Sequence, residues 1–462
     1  MLTGIRLKAN PTQGQKLILS QWMGSARFIW NAKCDEERYY ATFARKYYSI
    51  GTYGPIDQTT AQFKSKSLSP WLYDCPSQIL RNSAVNWYQT YQKFIKGQCG
   101  KPKRKRKTDK GSIHLTRELF RFEVCEDGVM RLFIGSKTNH IGYLSIKTHR
   151  PFQLPNSIYI KKECGQYYVS FCYHTGSEEA MTTDQAHLDY LKDSSRPFLE
   201  GHVVGIDRGV IIPVQAGDVS YDFSKAQKKK KEKSQRYVKR LQRKLARQQK
   251  GSHRRQRTKH RMARHHNKIA NIRKDFSHKT SRAIVESQAK VIIFEDLKIA
   301  NMTKKPKAKR DSSGVFIPNQ AKAKAGLNKS ILDKGWHQLE IFTKYKAANA
   351  GKAVFKIPAP YTSQECASCG YTHPDNRKNQ ALFICGHCGQ VDNADRNGSL
   401  VIKKRAIKLI LHTGTVLSER GVLSSSDTGR GASCKSGKPN GKPASSVETS
   451  KKKGTTATCV AA

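Results

Sequence analysis

The two cysteine pairs Cys366-x-x-Cys369 and Cys385-x-x-Cys388 constrain this chain more than any other feature of it. Fifteen residues separate them, the spacing of a four-cysteine zinc ribbon, in which two tight turns each present a pair of thiolates to one tetrahedral ion. Gly370 and Gly389 follow the second cysteine of each pair, as knuckle turns that aim backbone N–H groups at sulfur prefer. The other cysteines, Cys34, Cys75, Cys99, Cys125, Cys164, Cys172, Cys434 and Cys459, are scattered without pattern. This distribution predicts one zinc ion in a reducing compartment and speaks against a disulfide framework. A zinc that only braces the fold is compatible with any function, so the ribbon leaves the chemistry open.

Charge narrows the class of partner. Lys and Arg number 85 against 35 Asp and Glu, a formal +50. A folded protein tolerates such self-repulsion more easily when a polyanion neutralises it, which makes a long nucleic acid the natural partner. A merely solvated basic surface, or a ribosome-associated protein, is the blander alternative from charge alone. A hydrophobic content of 37% over 462 residues suffices for the cores of two to four domains. With neither a signal peptide nor a run of about 18 apolar residues, the expectation is a soluble, cytoplasmic protein without membrane contact.

Hydrophobic periodicity divides the chain. Residues 2–8 read as a strand, and Pro11 opens a helix with Ile18, Trp22, Ser25 and Ile29 on one face. Pro76 opens a second helix with Leu80, Ala84, Trp87, Tyr91 and Phe94 in a stripe, ended by Gly97 and Gly100. Val129 to Ile134, Tyr143 to Lys147, Ser157 to Lys162 and Tyr167 to Tyr173 alternate as strands. Because β pattern stands on both sides of the helices, residues 1–10 and 111–180 are expected to form a β-barrel or sheet into which 11–110 are inserted. A polar linker over about 175–200 follows. From 201, strands at Val203 to Ile206, Val210 to Val214, Val219 to Phe223, Val291 to Phe294 and Ala353 to Ile357 alternate with helices. Two long basic helices, Lys233 to Lys250 and His260 to Ser287, read as a hairpin. A basic loop over 303–328, a helix from Leu332 to Ala348 and a last helix from Asn397 to Leu411 complete the pattern. Beyond about 416 the chain has few large apolar residues and is expected to be disordered.

Three acids stand at the ends of elements. Asp207 ends the first strand of this region in Gly205-Ile206-Asp207-Arg208-Gly209, Glu295 ends the fourth in Ile293-Phe294-Glu295-Asp296-Leu297, and Asp395 precedes the last helix. Taken singly, Asp207 could be a turn device, Glu295 a solvent-exposed strand end and Asp395 an N-terminal helix cap. Taken in order, they match the metal platform of RNase H-like folds, where several carboxylates converge on ions roughly 4 Å apart to cleave a phosphodiester. Magnesium favours such an oxygen-rich, partly hydrated site. The basic runs Lys101 to Lys107, Lys228 to Lys233 and Arg254 to Arg264 are denser than ordinary surface decoration and are expected to contact phosphate. Trp22, Trp30, Trp87, Tyr88 and Tyr91 could stack on bases, but their helical spacing favours core packing.

These motifs together resemble the TnpB family of RNA-guided DNA endonucleases carried by prokaryotic insertion sequences, relatives of the compact type V CRISPR effectors. The matching text is Lys8-Ala9-Asn10-Pro11-Thr12 with Gln15, Arg27 and Asn31, and the segment from Phe94-Ile95-Lys96-Gly97 to Lys101-Pro102. It continues through Gly205-Ile206-Asp207, Phe294-Glu295-Asp296-Leu297, Tyr361-Thr362-Ser363-Gln364 and Asn393-Ala394-Asp395-Arg396-Asn397, so that the likeness covers about residues 1–410. The resemblance implies a multidomain α+β fold. A β-barrel wedge domain (1–10 and 111–180) with a helical recognition insert (11–110) would precede a RuvC-type α/β domain (201–360 and 393–415). An inserted zinc ribbon (361–392) and a tail (416–462) would complete it. It implies that Asp207, Glu295 and Asp395 hold two magnesium ions and that Cys366, Cys369, Cys385 and Cys388 hold zinc. Arg27, Lys101, Lys103, Arg104, Lys105, Arg254 and Arg255 are the candidate nucleic-acid contacts. The implied partners are a guide RNA from the transposon end, a double-stranded DNA target with a short adjacent motif, and a transposase encoded by the same element. The protein would act as a monomer or a homodimer on RNA. A miniature CRISPR effector and a guided repressor that does not cut are the alternatives. Gly398-Ser399 is expected to weaken the start of the last helix.

Overall fold

The computed structural model describes residues 2–47, 57–107, 110–124, 130–148, 151–174, 183–379 and 381–425. The chain forms two compact units. One comprises residues up to 183 with 208–288 and 298–352, and the other comprises 184–207, 289–297 and the chain from 353. Among the described residues no helix is long and apolar enough to cross a membrane.

In chain order, β1 (Leu2–Ala9) leads into the helices Gln13–Tyr39 and Ser77–Ile95. Then come β2 (Gly111–Thr116), β3 (Phe120–Val124), β4 (Met130–Gly135), β5 (His140–Lys147), β6 (Ser157–Glu163) and β7 (Gln166–His174). Helices Asp184–Lys192 and Arg196–His202 precede β8 (Val203–Asp207). The short strands β9 (Val214–Ala216) and β10 (Val219–Tyr221) are followed by helices Lys225–Ala246 and His253–Glu286 and by β11 (Val291–Glu295). A small pair, β12 (Lys309–Arg310) and β13 (Phe316–Ile317), precedes helices Ala321–Leu332 and Trp336–Asn349. β14 (Ala353–Ile357), β15 (Leu382–Ile384), β16 (Val391–Asn393), the helix Ala394–Ile410 and the hairpin of β17 (Thr415–Leu417) with β18 (Leu423–Ser425) finish the described chain.

In the first unit the β domain is one seven-stranded sheet in the order β2-β6-β7-β1-β5-β4-β3. β1 is central, antiparallel to β7 along its length and to β5 at its end. Period-two alternation sends Leu7, Leu144 and Val169 to the same core. The helix Gln13–Tyr39 opens with a capping box in which Thr12 and Gln15 satisfy each other's backbone N–H groups. Its Leu19, Trp22 and Ile29 join Ile79, Leu80 and Ala84 of the next helix and Ile5, Leu115 and Ile160 of the sheet. Each fully buried leucine or isoleucine among them contributes about 1.5–3 kcal/mol. Trp30, Cys34 and Trp87 form a satellite cluster with Tyr88 and Tyr91, so the aromatics expected to favour packing over base stacking do pack. The basic helices form the expected hairpin, capped by Ser224 and Ser252.

In the second unit β8, β11 and β14 are parallel, with Ile293 opposite both Gly205 and Phe355. Val203, Val291, Ile293, Phe355 and Ile357 are buried with Ile402, Ala406 and Ile410 of the last helix.

Some expectations need correction. Of Val210 to Val214 only Val214 belongs to a strand, and β2 and β3 are additional. The polar linker contains two helices, whose Leu188, Leu191 and Leu199 are buried in the second unit's core. The basic loop contains β12, β13 and most of a helix, and the helix expected from Leu332 starts at Trp336, after Gly335 at φ 72°. The expected disorder from 416 does not hold as far as Ser425, because Leu423 is fully buried against the same core. Val129, residues 175–182 and the tail 426–462 lie outside the described residues.

Candidate functional site

Parallel register places two of the acids. Phe294 is opposite Ile206, so Glu295 and Asp207 occupy the next level on adjacent strands, at the C-terminal edge where open α/β sheets bind ligands. Glu295 is 7% exposed, and the Thr362 hydroxyl lies 2.5 Å from its Oε1.

The last helix brings the third acid to this edge by approaching β8 backbone to backbone. A Cβ on Gly205 would lie 2.2 Å from the Ser399 carbonyl oxygen, and one on Gly398 would lie 3.3 Å from Asp207 Oδ2. Ser399 Oγ donates to the Gly205 carbonyl at 2.8 Å. Gly398-Ser399, expected to weaken this helix, instead lets it run unbroken from Ala394 to Ile410 against the strand. Asn393 caps it, accepting from the N–H groups of Asp395 and Arg396, so the carboxyl of Asp395 is free of capping duty. That carboxyl is 7% exposed as a residue, and burial pushes its pKa above the ordinary value, opposed by Arg377. Arg377 Nη2 donates to Asp395 Oδ1 at 3.2 Å.

In the ribbon, the four sulfurs lie within 4.8 Å of one another, with Cys366 to Cys388 at 3.7 Å and Cys369 to Cys385 at 3.6 Å. Tetrahedral zinc with bonds of about 2.3 Å needs sulfurs about 3.8 Å apart, so the donor set fits that ion. Gly370 and Gly389 take φ of 78° and 73°, and their N–H groups return to the carbonyls of Cys366 and Cys385. Among the described residues this is the only group of three or more such ligands packed so closely; the three acids share an edge without that degree of convergence. The ribbon is tied to the last helix by Asn397, which accepts from the Ala367 N–H at 2.9 Å and donates to the Glu365 carbonyl at 2.7 Å.

Three family models match parts of the chain. A helix-turn-helix domain of the IS605 OrfB type matches residues 1–41, which here form β1 and one long helix. A probable transposase of the same IS605 OrfB type matches 186–305, and a Cas12f1-like TNB domain matches 336–402. Over 401 residues, 86% of this chain and 90% of the relative, the sequence is 28% identical to a protein of Escherichia coli K12 named as an RNA-guided DNA endonuclease, InsQ. The likeness to that endonuclease runs along most of the chain. A CRISPR-associated endodeoxyribonuclease, Cas12f1 of Sulfoacidibacillus thermotolerans, is 35% identical over 137 residues, 29% of this chain and 27% of the relative. The solved Cas12f1-sgRNA-target DNA complex shares the fold, with a TM-score of 0.52 at 11% identity over 87% of this chain and 98% of that one.

The candidate basic residues differ in how they are held. Arg27 lines a cavity of about 590 Å³ with Asn86, Lys105, His114, Tyr159 and Lys161. Lys101 pairs with Glu37 at 2.8 Å and Arg104 with Asp35 at 2.9 Å, which anchors the 101–107 run along the first helix. The Lys103 carbonyl accepts from Trp30 Nε1 at 3.0 Å while its side chain is exposed. Lys105 is exposed as a residue, but its ammonium sits 3.3 Å over the Trp30 ring, and burial there pulls its pKa down to about 8. Arg254 is exposed. Arg255 is committed to structure: its guanidinium donates to the carbonyls of Leu245 and Gln248, closing the C-terminal end of the preceding helix. Sequence reasoning missed Arg377 and Thr362 as residues of the acidic site; the motif containing Thr362 was visible, but its contact with Glu295 was not.

Proposed function

We propose that this chain is a transposon-associated, RNA-guided DNA endonuclease that hydrolyses target DNA at one RuvC-type centre formed by Asp207, Glu295 and Asp395. The observation that carries the reading is the approach of the last helix to β8. Gly205 and Gly398 bring an acid-bearing helix against a strand edge that already carries two acids. A structural zinc protein has no need of that arrangement.

The donor chemistry suits hard, oxygen-preferring cations, and a pair of magnesium ions held by the three carboxylates would supply Lewis acidity to phosphate oxygens and attacking water. The chain's own contribution is position. Parallel register holds Asp207 and Glu295 level, and the Asn393 cap leaves Asp395 free. Arg377 adds a fixed cation that a scissile phosphate can share with Asp395. The four cysteines would hold the zinc. Guide RNA and target duplex would be gripped through phosphates by the basic helices, with Arg27 and the 101–107 run serving the N-terminal lobe, where the short motif beside the target is read.

The test is cleavage of a matched duplex by protein carrying its co-purifying RNA, with magnesium. Asp207→Ala should abolish cutting and leave binding intact; an Asp207→Ala protein that cuts like the parent would refute the assignment. Sequencing that RNA distinguishes a transposon-end guide from a CRISPR-derived one.

A further inference from the structure

We propose that Thr362 is a positioning residue for Glu295, and that the turn entering the zinc ribbon holds it there, so that formation of the cysteine site governs the carboxylate site. The proposal rests on the reading of Glu295 as a metal ligand.

Thr362 is 3% exposed, and its hydroxyl lies 2.5 Å from Glu295 Oε1 and 3.0 Å from the Ala359 carbonyl. A hydroxyl has one proton, and a buried carboxylate is the stronger acceptor. Its donation fixes one carboxylate oxygen and so sets the direction of the other. Without it, that oxygen would lose a fixed hydrogen-bond donor.

The turn carrying Thr362 is built to stay put. Tyr361 adopts φ 64°, a left-handed conformation unusual for a tyrosine. Its carbonyl accepts from the N–H groups of Gln364 and Glu365 at 3.0 and 3.1 Å. The last helix grips the same segment: Arg405 pairs with the Glu365 carboxylate and donates to the Pro360 carbonyl at 2.8 Å. Lys404 donates to the Ala367 carbonyl, and Asn397 holds the backbone at Glu365 and Ala367. Between these clamps stands Cys366, whose N–H is bonded to the Tyr371 carbonyl at 2.9 Å within the first knuckle. A short hydrogen-bonded path, buried at Thr362 and Cys366 and half-buried between them, therefore runs from a zinc-type thiol to the proposed catalytic carboxylate within one compact unit.

The experiment uses the full chain with its RNA and reads the carboxylate site with ferrous ion, ascorbate and peroxide, which cut the polypeptide beside bound iron. Fragments ending near Asp207, Glu295 and Asp395 report this site, separately from any near the cysteines. Thr362→Val should raise the half-saturating iron concentration about tenfold, equivalent to about 1.4 kcal/mol, with Tm and zinc content unchanged. The magnesium requirement for cleavage should rise in parallel. Thr362→Ser should restore both to within about twofold, and Thr362→Ala stands in for valine if the latter does not fold. If Thr362→Val and Thr362→Ala bind iron like the parent while Glu295→Gln does not, the positioning role is refuted and the site reading stands. If Glu295→Gln also binds iron like the parent, the site reading itself fails.

Discussion

Arg377 of the ribbon donates to Asp395 of the last helix at 3.2 Å, so a cation from one element stands on a buried carboxylate of another. Replacing Arg377 with alanine should slow cleavage by about 10²-fold, the scale of losing one preorganised charge partner, and leave guide-RNA binding unchanged. Because burial already raises the Asp395 pKa and Arg377 opposes that rise, its removal should move the acidic limb of the pH–rate profile to higher pH. Arg377→Lys should move it part of the way back. Single-turnover rates across pH measure both.

Asp395 itself should show a conflict between stability and activity. Its folded-state pKa is raised, so its charged form is disfavoured in the native protein, and stability is lost as pH rises from the unfolded value through the folded one. Asp395→Asn keeps an acceptor for Arg377 and removes that charge. In magnesium-free buffer at neutral pH it should melt above the parent while cutting nothing. A lower Tm would show that the acid is stabilising as it stands.

Chelation should expose the cysteine site. One zinc per chain is expected by elemental analysis, and its removal should lower Tm and be favoured at acid pH, since thiols must lose protons to bind metal. Cys366→Ser, at a buried position, should be at least as damaging as Cys388→Ser at an exposed one.

The two glycines between β8 and the last helix predict opposite failures. Gly205→Ala would press a methyl into the Ser399 carbonyl, backbone against backbone, and should destabilise by about 3 kcal/mol or prevent folding. Gly398→Ala meets only the side chain of Asp207 at 3.3 Å. It should fold and bind RNA, with cleavage reduced about tenfold by the displaced carboxylate. Urea melts and cleavage rates separate the two.

Nucleic-acid binding should weaken steeply between low and physiological salt, as counterion release requires of a +50 chain. It should also weaken modestly as pH rises through about 8, where Lys105 loses its proton. Lys105→Arg should remove that pH step, a result that filter binding at two pH values would show.

How much of this was legible beforehand follows from where the information lies. The ribbon could be read because its signal is local spacing, and the places of the acids because Asp207 and Glu295 end strands of strong period and Asp395 stands at the start of the last helix. The buried leucines of the 184–202 helices were hidden in a polar composition too short for a clear repeat. Arg255 could not be told from a phosphate contact, because a helix-closing guanidinium and a phosphate-binding one look alike in a basic run. Arg377 and Thr362 had no local signature for their contacts, which exist only once the ribbon has folded onto the sheet and the last helix.

The three acids come from widely separated stretches of chain, with the ribbon between the second and third. During synthesis the N-terminal β domain and the basic hairpin emerge first, and Asp395 reaches the ribosome exit after nearly everything else. A polypeptide interrupted before that point would retain the basic surfaces of the N-terminal β domain and the hairpin yet lack the third acid. If the proposed function holds, premature termination would yield a competitor for the guide, not a truncated nuclease acting without control.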